Sequence, residues 1–152
     1  SEQMETVFEA IKSLRNLRAD FNIPVGTKIN IKIDGDEELF SKIIPYIKRL
    51  ARVEEVTFEK NSKDEKHCAY CTVGDTKIIV PLEGLIDIQK EIERQNKKIQ
   101  KFETELNSLN GRLNNEKFVN SAPKEVVEQT KARVEEIKSE ISTISDLIKK
   151  LS

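Results

Sequence analysis

The second half of the chain carries two long heptad repeats, separated by a short break near residue 118. In both segments apolar residues recur at alternating steps of three and four, with charged residues between them, over about four heptads. Gln95 is the one polar residue that interrupts the first repeat. Two such helices with a short connection predict an antiparallel coiled-coil hairpin. The repeat positions are Leu85, Ile88, Ile92, Ile99, Phe102, Leu106, Leu109 and Leu113, then Val127, Thr130, Val134, Ile137, Ile141, Ile144, Ile148 and Leu151.

The connection between the two repeats combines turn signals with two adjacent apolar residues, Phe118 and Val119. An asparagine pair at 114 and 115 can end the first helix, because asparagine tolerates the left-handed conformation. Pro123 suits the first turn of the second helix. Two interpretations of the apolar pair stay open. It folds inward and closes the end of the apolar seam, or it offers a contact to a partner.

Residues 1–82 alternate between helical and strand patterns. An amphipathic stripe predicts a helix over 3–20, and Pro24 and Gly26 end it. Isoleucines alternating with polar residues predict a strand over 27–34. A second helix is predicted over 36–51, and Pro45 inside it should kink or split it. Three further strands are predicted over 53–59, 67–73 and 77–82, the last two joined by a hairpin across Gly74 and Asp75.

These elements predict an α+β fold. A small β-α-β-β-β sheet domain, antiparallel or mixed, is preceded by one helix and followed by a long antiparallel coiled-coil helical hairpin. The expected domains are residues 1–24, residues 25–82 and residues 83–152, with the tip of the hairpin near 114–123. The first helix carries an apolar stripe that must be covered. We expect it to dock onto the small sheet domain or onto a second molecule.

Composition narrows the class of protein further. Charged residues make up 35% of the chain, aromatic residues 5%, and tryptophan is absent, which is typical of long solvated helices. The net charge of −1 gives no global sign of nucleic-acid binding, so any such role must come from local patches. No apolar run is long enough for a transmembrane helix, and the first residues lack a secretory signal. We therefore expect a cytoplasmic protein that does not bind membranes, and a fragment of something longer.

The chain shows no pattern for catalysis or for metal binding. It has no glycine-rich phosphate loop, no nucleophile elbow and only one histidine, so we expect no catalytic residues. Cys68 and Cys71 lack a second cysteine pair, and His67 alone cannot complete a zinc site. In a strand, residues three apart point to opposite faces about 10 Å apart, too far for a disulfide. Two reduced thiols are predicted, and stoichiometric zinc in the purified protein would be needed to support a metal site.

A basic stripe lies on the first heptad helix, away from the apolar positions. It consists of Arg94, Lys97, Lys98 and Lys101, spaced to fall on one side of the helix. If Leu85 faces Leu151, Lys138 of the second helix lies near the stripe, and Arg112, Lys117 and Lys124 add positive charge near the tip. Such a stripe can neutralise a phosphate backbone without reading sequence. The alternative is a solvated face of ion pairs, such as Glu93 with Lys97.

Three segments resemble the C-terminal region of bacterial valyl-tRNA synthetases. They are "PLEGLIDI" (Pro81–Ile88), "LNNEKFVNSAPKEVVE" (Leu113–Glu128) and "IKSLRNLRADFNIP" (Ile11–Pro24). The resemblance covers nearly the whole chain. It implies that residues 1–24 are a remnant of the anticodon-binding domain and that residues 83–152 are a tRNA-binding arm. The signature motifs of HIGH and KMSKS type are absent, so the chain itself cannot activate valine.

The resemblance also implies partners and a site. The parent would be a class I ligase that joins valine to its tRNA with ATP, while this chain needs no cofactor. Its partners would be valine tRNA and the missing catalytic and anticodon-binding domains. The arm would pack against the outer corner of the tRNA, where the D and T loops meet. The alternative is a coiled-coil protein-interaction module without RNA binding. Candidate tRNA-binding residues are Arg94, Lys97, Lys98, Lys101, Arg112, Lys117, Phe118 and Lys138.

Overall fold

Five helices and four strands follow one another along the chain in the computed structural model, which describes residues 1–152. The chain divides into a first unit, Ser1–Glu91, and a second unit, Ile92–Ser152. The α+β class is confirmed, while the three-part division into 1–24, 25–82 and 83–152 stays a prediction. The elements are α1 (Glu2–Asp20), β1 (Ile29–Asp34), α2 (Glu37–Leu50), β2 (Val53–Phe58), β3 (Cys68–Val73), β4 (Thr76–Pro81), α3 (Ile88–Leu113), α4 (Glu116–Ser121) and α5 (Lys124–Leu151).

The sheet of the first unit is mixed, with strand order β2-β1-β4-β3. Strand β1 runs parallel to β2, and β4 runs antiparallel to both β1 and β3. Ile33 pairs with Ile78, which in turn pairs with Cys71, so these three side chains share one face of the sheet. Ile29 and Ile31 lie on the same face and are buried, as the isoleucine alternation predicts.

Helices α1 and α2 cover that face of the sheet. They contact each other, α1 also contacts β3, and α2 contacts β2. The first helix therefore docks onto its own sheet domain, one of the two places expected for it. It buries Val7, Leu14 and Leu17. The predicted stripe also contained Met4 and Phe8, but these are 66% and 73% exposed, because α1 packs through the neighbouring side of the helix.

Helix α2 runs without interruption past Pro45, so the expected split does not occur. Asp36 caps its start, since its carboxylate accepts a hydrogen bond from the Leu39 amide at 3.1 Å. Pro45 is exposed, and the carbonyl that loses its helical partner there can face water. Ile43 and Ile47 are buried as predicted, but Leu50 at the end of the same stripe is 45% exposed.

Arg18 ties together three segments of the first unit. It is only 6% exposed, and its guanidinium donates four hydrogen bonds to backbone carbonyls. Burial, together with the nearby charge of Arg52, lowers the pKa of Arg18. The end of α1, the turn after it and the connection from α2 to β2 are thereby held in one place. The accepting carbonyls belong to Pro24 at 3.0 Å, Thr27 at 2.7 Å, Ala51 at 3.1 Å and Arg52 at 3.1 Å.

The two cysteines are free thiols on opposite faces of β3, as their spacing predicts. Cys71 pairs with Ile78 on the helix-covered face, whereas Cys68 pairs with Pro81 on the other face. Burial raises the pKa of both thiols, to about 11 for Cys71. His67, immediately before β3, is partly exposed, and its backbone has the left-handed conformation with φ 61°. Among residues 1–152, no three histidine, cysteine or acidic side chains are grouped to hold a metal ion.

Alkylation of Cys71 is expected to be slow in the folded chain. Only the thiolate reacts, and a pKa of about 11 instead of the ordinary 9.0 lowers the thiolate fraction at pH 7.5 about 100-fold. Iodoacetamide labelling followed by peptide mass spectrometry measures this rate in buffer. The same measurement in about 8 M urea, which unfolds the chain, is the control. Equal rates in the two conditions would contradict the raised pKa of Cys71.

The second unit contains most of α3, with α4 and α5. Residues of α5 at heptad positions are buried along one face, among them Val127, Val134 and Ile137. Arg133 of α5 donates two short hydrogen bonds, at 3.1 and 2.8 Å, to one carboxylate oxygen of Glu105 on α3. Both residues occupy the same heptad position, and such pairs flank the seam of antiparallel helices. None of the five helices has the length and apolar character needed to cross a bilayer.

Candidate nucleic-acid interface

Helix α3 starts three residues later than the heptad repeat suggests. The Leu85 and Ile86 amides donate to the Leu82 carbonyl at 2.9 and 3.3 Å, which places Leu85 in a turn before the helix. Asp87 then caps α3, because its carboxylate accepts a hydrogen bond from the Lys90 amide at 3.1 Å. The helix that presents the basic stripe therefore has a defined start at Ile88.

Gln95 defines which side of α3 is covered. It is 1% exposed, although it is polar, and it occupies a heptad position between Ile92 and Ile99. No buried side-chain nitrogen or oxygen in residues 1–152 lacks a hydrogen-bond partner, so the Gln95 amide is satisfied. A buried polar residue in such a seam favours one register over others. The residues of the basic stripe occupy other heptad positions than Gln95, so they lie away from this covered side.

The lysines of the basic stripe are exposed and make no ion pair. Lys97, Lys98 and Lys101 are all solvent-exposed, while Arg94 is partly buried. No ion pair joins Glu93 to Lys97, although the solvated-face interpretation relied on such pairs. The sequence from 94 to 101 contains no acidic residue. The three lysines therefore present positive charge that the chain itself does not neutralise.

The cations in the middle of α5 are arranged differently, because glutamates surround them. The hydrogen bonds that Arg133 donates to the Glu105 carboxylate raise the pKa of Arg133. Lys138 was predicted to extend the basic stripe, but it has a glutamate partner on its own helix and adds less free charge. The ion pairs are Lys131 with Glu128 at 3.8 Å, Arg133 with Glu105 and Glu136 at 2.8 Å each, and Lys138 with Glu135 at 3.6 Å.

The hairpin tip contains a short helix that the sequence did not predict. Asn115 caps α4, accepting a hydrogen bond from the Lys117 amide at 3.0 Å. The Ala122 amide donates to the Phe118 carbonyl at 2.9 Å and closes the helix. Pro123 sits at the N-cap of α5, one position before the predicted first turn. The signal that was missed is an asparagine followed by glutamate, which is typical of a helix start.

The apolar pair at the tip is only partly shielded. Phe118 is partly buried, but Val119 is 39% exposed, so of the two open interpretations the inward-folding one does not hold for Val119. Arg112 and Lys117 are exposed and make no ion pair. The tip thus combines an accessible apolar side chain with two free cations. Aromatic and basic side chains are the groups that contact unstacked RNA bases.

Comparison with known proteins identifies the segment that carries these features. Residues 87–152 match a family model described as the valyl tRNA synthetase tRNA binding arm, and the match begins at the Asp87 cap. Valine–tRNA ligase of Listeria innocua is 32% identical over 155 aligned residues, which cover 99% of this chain. The corresponding enzyme of Clostridium perfringens is 34% identical and covers 97%. Over almost its whole length, the chain is similar to valine–tRNA ligases.

The valine–tRNA ligase relatives are much longer than this chain. The alignments cover 18% of the Listeria innocua protein and 17% of the Clostridium perfringens protein. A third relative, from Syntrophotalea carbinolica, is 31% identical over 98% of this chain and 17% of its own length. The chain corresponds to the C-terminal region of valine–tRNA ligases, which confirms the resemblance found in the sequence. The basic stripe and the tip both lie inside the segment matched to the arm.

Proposed function

We propose that this chain is a tRNA-binding appendage of a valine–tRNA ligase. The full enzyme would join valine to its tRNA with ATP in the cytoplasm, while this chain supplies tRNA affinity and no catalytic group. The observation that carries the proposal is the run of exposed lysines at 97, 98 and 101, which lack ion-pair partners inside a segment matched to a tRNA-binding arm.

The basic stripe suits contacts to a phosphate backbone. From Arg94 to Lys101 it extends about 10 Å along α3, at about 1.5 Å per residue. One nucleic-acid strand carries a charge about every 3.4 Å along its helix axis, so the stripe can meet two or three phosphates. Lysine contacts of this kind add affinity and position without reading bases. Recognition of valine tRNA against other tRNAs would then come from other parts of the full enzyme.

The tip supplies a second kind of contact. Lys117 directly precedes Phe118 and Val119, and Arg112 lies six residues before Phe118, so apolar and positively charged groups occur together at the end of the arm. The outer corner of tRNA, where the D and T loops meet, exposes bases that such groups can contact. We therefore place the tip at this corner and the stripe of α3 along the adjoining backbone.

Titration of the chain with valine tRNA and with a non-cognate tRNA tests the proposal. We expect both to bind, with an affinity that falls steeply as salt rises, because backbone contacts release counterions. Hydroxyl-radical footprinting of the complex should show protection at the outer corner of the L. Absence of binding at low salt would contradict the proposal, as would protection confined to the anticodon or the acceptor end.

A second candidate function is a coiled-coil protein-interaction module. Val119 at the tip is 39% exposed and Val126 in the first turn of α5 is 40% exposed, which leaves apolar side chains that a protein partner would cover. If this function is correct, the chain should have no affinity for RNA at any salt concentration. Its association with a protein partner should be lost when both valines are replaced by serine.

A further inference from the structure

The loop between β2 and β3 crosses the face of the sheet opposite α1 and α2. β2 and β3 are the two edge strands, so the loop that joins them must span the sheet. Asp34 on β1 alternates with the buried isoleucines, and its carboxylate accepts hydrogen bonds from the Ser62 amide at 2.9 Å and the Ser62 hydroxyl at 2.7 Å. The Tyr70 hydroxyl on β3 donates to the Glu65 carbonyl at 3.1 Å. We call this loop, residues 59–67, the strap.

Two of the three acidic side chains of the strap are engaged with the sheet. Lys32 of β1 forms ion pairs with Glu59 at 3.7 Å and with Glu65 at 3.4 Å. The third acid of the strap is Asp64. Because both glutamates have a cationic partner within the chain, they repel an approaching anion less than free carboxylates would.

The lysines of the strap are left free. Lys60, Lys63 and Lys66 stand at every third position, and all three are exposed. None of them makes an ion pair. Successive members of this series are three residues apart, so their Cα atoms lie at most about 11 Å from each other. The strap therefore presents a local patch of positive charge in a chain whose net charge is −1.

We propose that the strap is a second RNA-binding surface, which contacts tRNA phosphates through Lys60, Lys63 and Lys66. It belongs to the first unit and lies outside residues 87–152, the segment matched to the tRNA binding arm. Lysines of this kind neutralise a phosphate backbone without reading bases. The proposal rests on the proposed function, because that function supplies tRNA as the ligand.

The composition of the strap favours RNA over other partners. No residue from 59 to 67 is apolar, whereas the centre of a protein interface is enriched in apolar and aromatic side chains. Basic clusters that bind acidic lipids contain about four or more cations, and the strap has three lysines. A phosphate backbone requires only positive charge and hydrogen-bond donors, which the strap supplies.

The anchors of the strap favour binding because they order the loop before RNA arrives. A free loop loses conformational entropy when it binds, and this loss lowers affinity. Asp34 and Tyr70 already hold the strap on the sheet, and the Lys77 ammonium adds a hydrogen bond to the Ser62 carbonyl at 3.4 Å. The backbone that carries the three lysines therefore needs little further ordering on binding.

Lysine acetylation with and without valine tRNA tests the contact directly. In the complex, Lys60, Lys63 and Lys66 should react about threefold more slowly or less, since an ammonium held on a phosphate is shielded from the reagent. Lys42 and Lys48 are exposed on α2 and serve as internal controls, and their rates should not change. Peptide mass spectrometry measures the rate at each lysine.

The triple substitution of Lys60, Lys63 and Lys66 by alanine should weaken tRNA binding about fivefold at roughly 0.1 M salt. All three side chains are exposed, so circular dichroism should show an unchanged fold. The triple substitution of Lys28, Lys42 and Arg49 by alanine is the matched control. It removes the same charge from exposed positions outside the strap and should leave the affinity nearly unchanged. Fluorescence anisotropy with labelled valine tRNA measures both variants.

The outcomes separate this proposal from the proposed function. If the wild-type chain binds tRNA and the strap variant binds equally well, the strap is no RNA contact, while the arm still is. Equal losses in the strap variant and its control would show an effect of net charge alone and would also overturn the proposal. A wild-type chain that binds no tRNA at low salt would overturn both the proposed function and the role of the strap.

Discussion

Arg18→Ala is expected to destabilise the first unit by about 3 kcal/mol or more, since hydrogen bonds to a charged group contribute about 1.5–3 kcal/mol each. The substitution removes four hydrogen bonds to buried or partly buried backbone carbonyls. It also opens space where the guanidinium lay between α1 and the connection from α2 to β2. Arg18→Lys should lose nearly as much stability. The planar guanidinium of arginine donates to carbonyls in three segments at once, and the single ammonium of lysine cannot.

Urea unfolding followed by tyrosine fluorescence measures this loss. The two tyrosines of the chain, Tyr46 and Tyr70, both lie in the first unit, so the signal reports on that unit alone. Arg49→Ala is the matched control: this arginine is exposed on α2, and its removal should change stability by less than about 0.5 kcal/mol. If Arg18→Ala were as stable as this control, the carbonyl contacts would not hold the unit together.

The triple substitution of Lys97, Lys98 and Lys101 by alanine should weaken tRNA binding about tenfold or more at roughly 0.1 M salt. These lysines are exposed and unpaired, so their removal takes away charge without breaking contacts within the chain. Alanine also keeps α3 helical, because it has the highest helix propensity. Fluorescence anisotropy with labelled valine tRNA measures the affinity, and circular dichroism confirms that the helix content is kept.

The triple substitution of Lys28, Lys42 and Arg49 by alanine is the control for this loss. These three residues are exposed, make no ion pair and lie outside the segment matched to the tRNA-binding arm. Their removal should change tRNA affinity only slightly, because the net charge falls by the same amount but the stripe stays intact. Equal losses in the two triple variants would mean that net charge, and not the stripe on α3, controls binding.

The patterns that were predictable from the sequence are those set by neighbouring residues. Alternation in Ile29, Ile31 and Ile33 identifies a half-buried strand, and the heptad spacing identifies the two long helices, because side-chain direction follows the local period. The class and the element order of the first unit follow from such patterns. Predicting the fold class and the element order does not require knowledge of contacts between distant parts of the chain.

The features that escaped prediction depend on distant contacts. Arg18 looks like any cation near a helix end, and its role appears only when residues 51 and 52 are brought beside it. Met4 and Phe8 belong to the same apolar pattern as Leu14, but the direction in which α1 docks decides which of them is covered. The pairing of Lys138 with Glu135 is an exception, because it is local: the two residues are three positions apart on α5, a spacing that favours such an ion pair.

The most direct test of the central claim, that the stripe on α3 binds the tRNA backbone, is the salt dependence of binding. The slope of log Kd against log salt concentration counts the phosphates that the protein neutralises. The account predicts a steep slope for the wild-type chain and a slope shallower by about 2 to 3 for the variant lacking Lys97, Lys98 and Lys101. Equal slopes for the two proteins would contradict it.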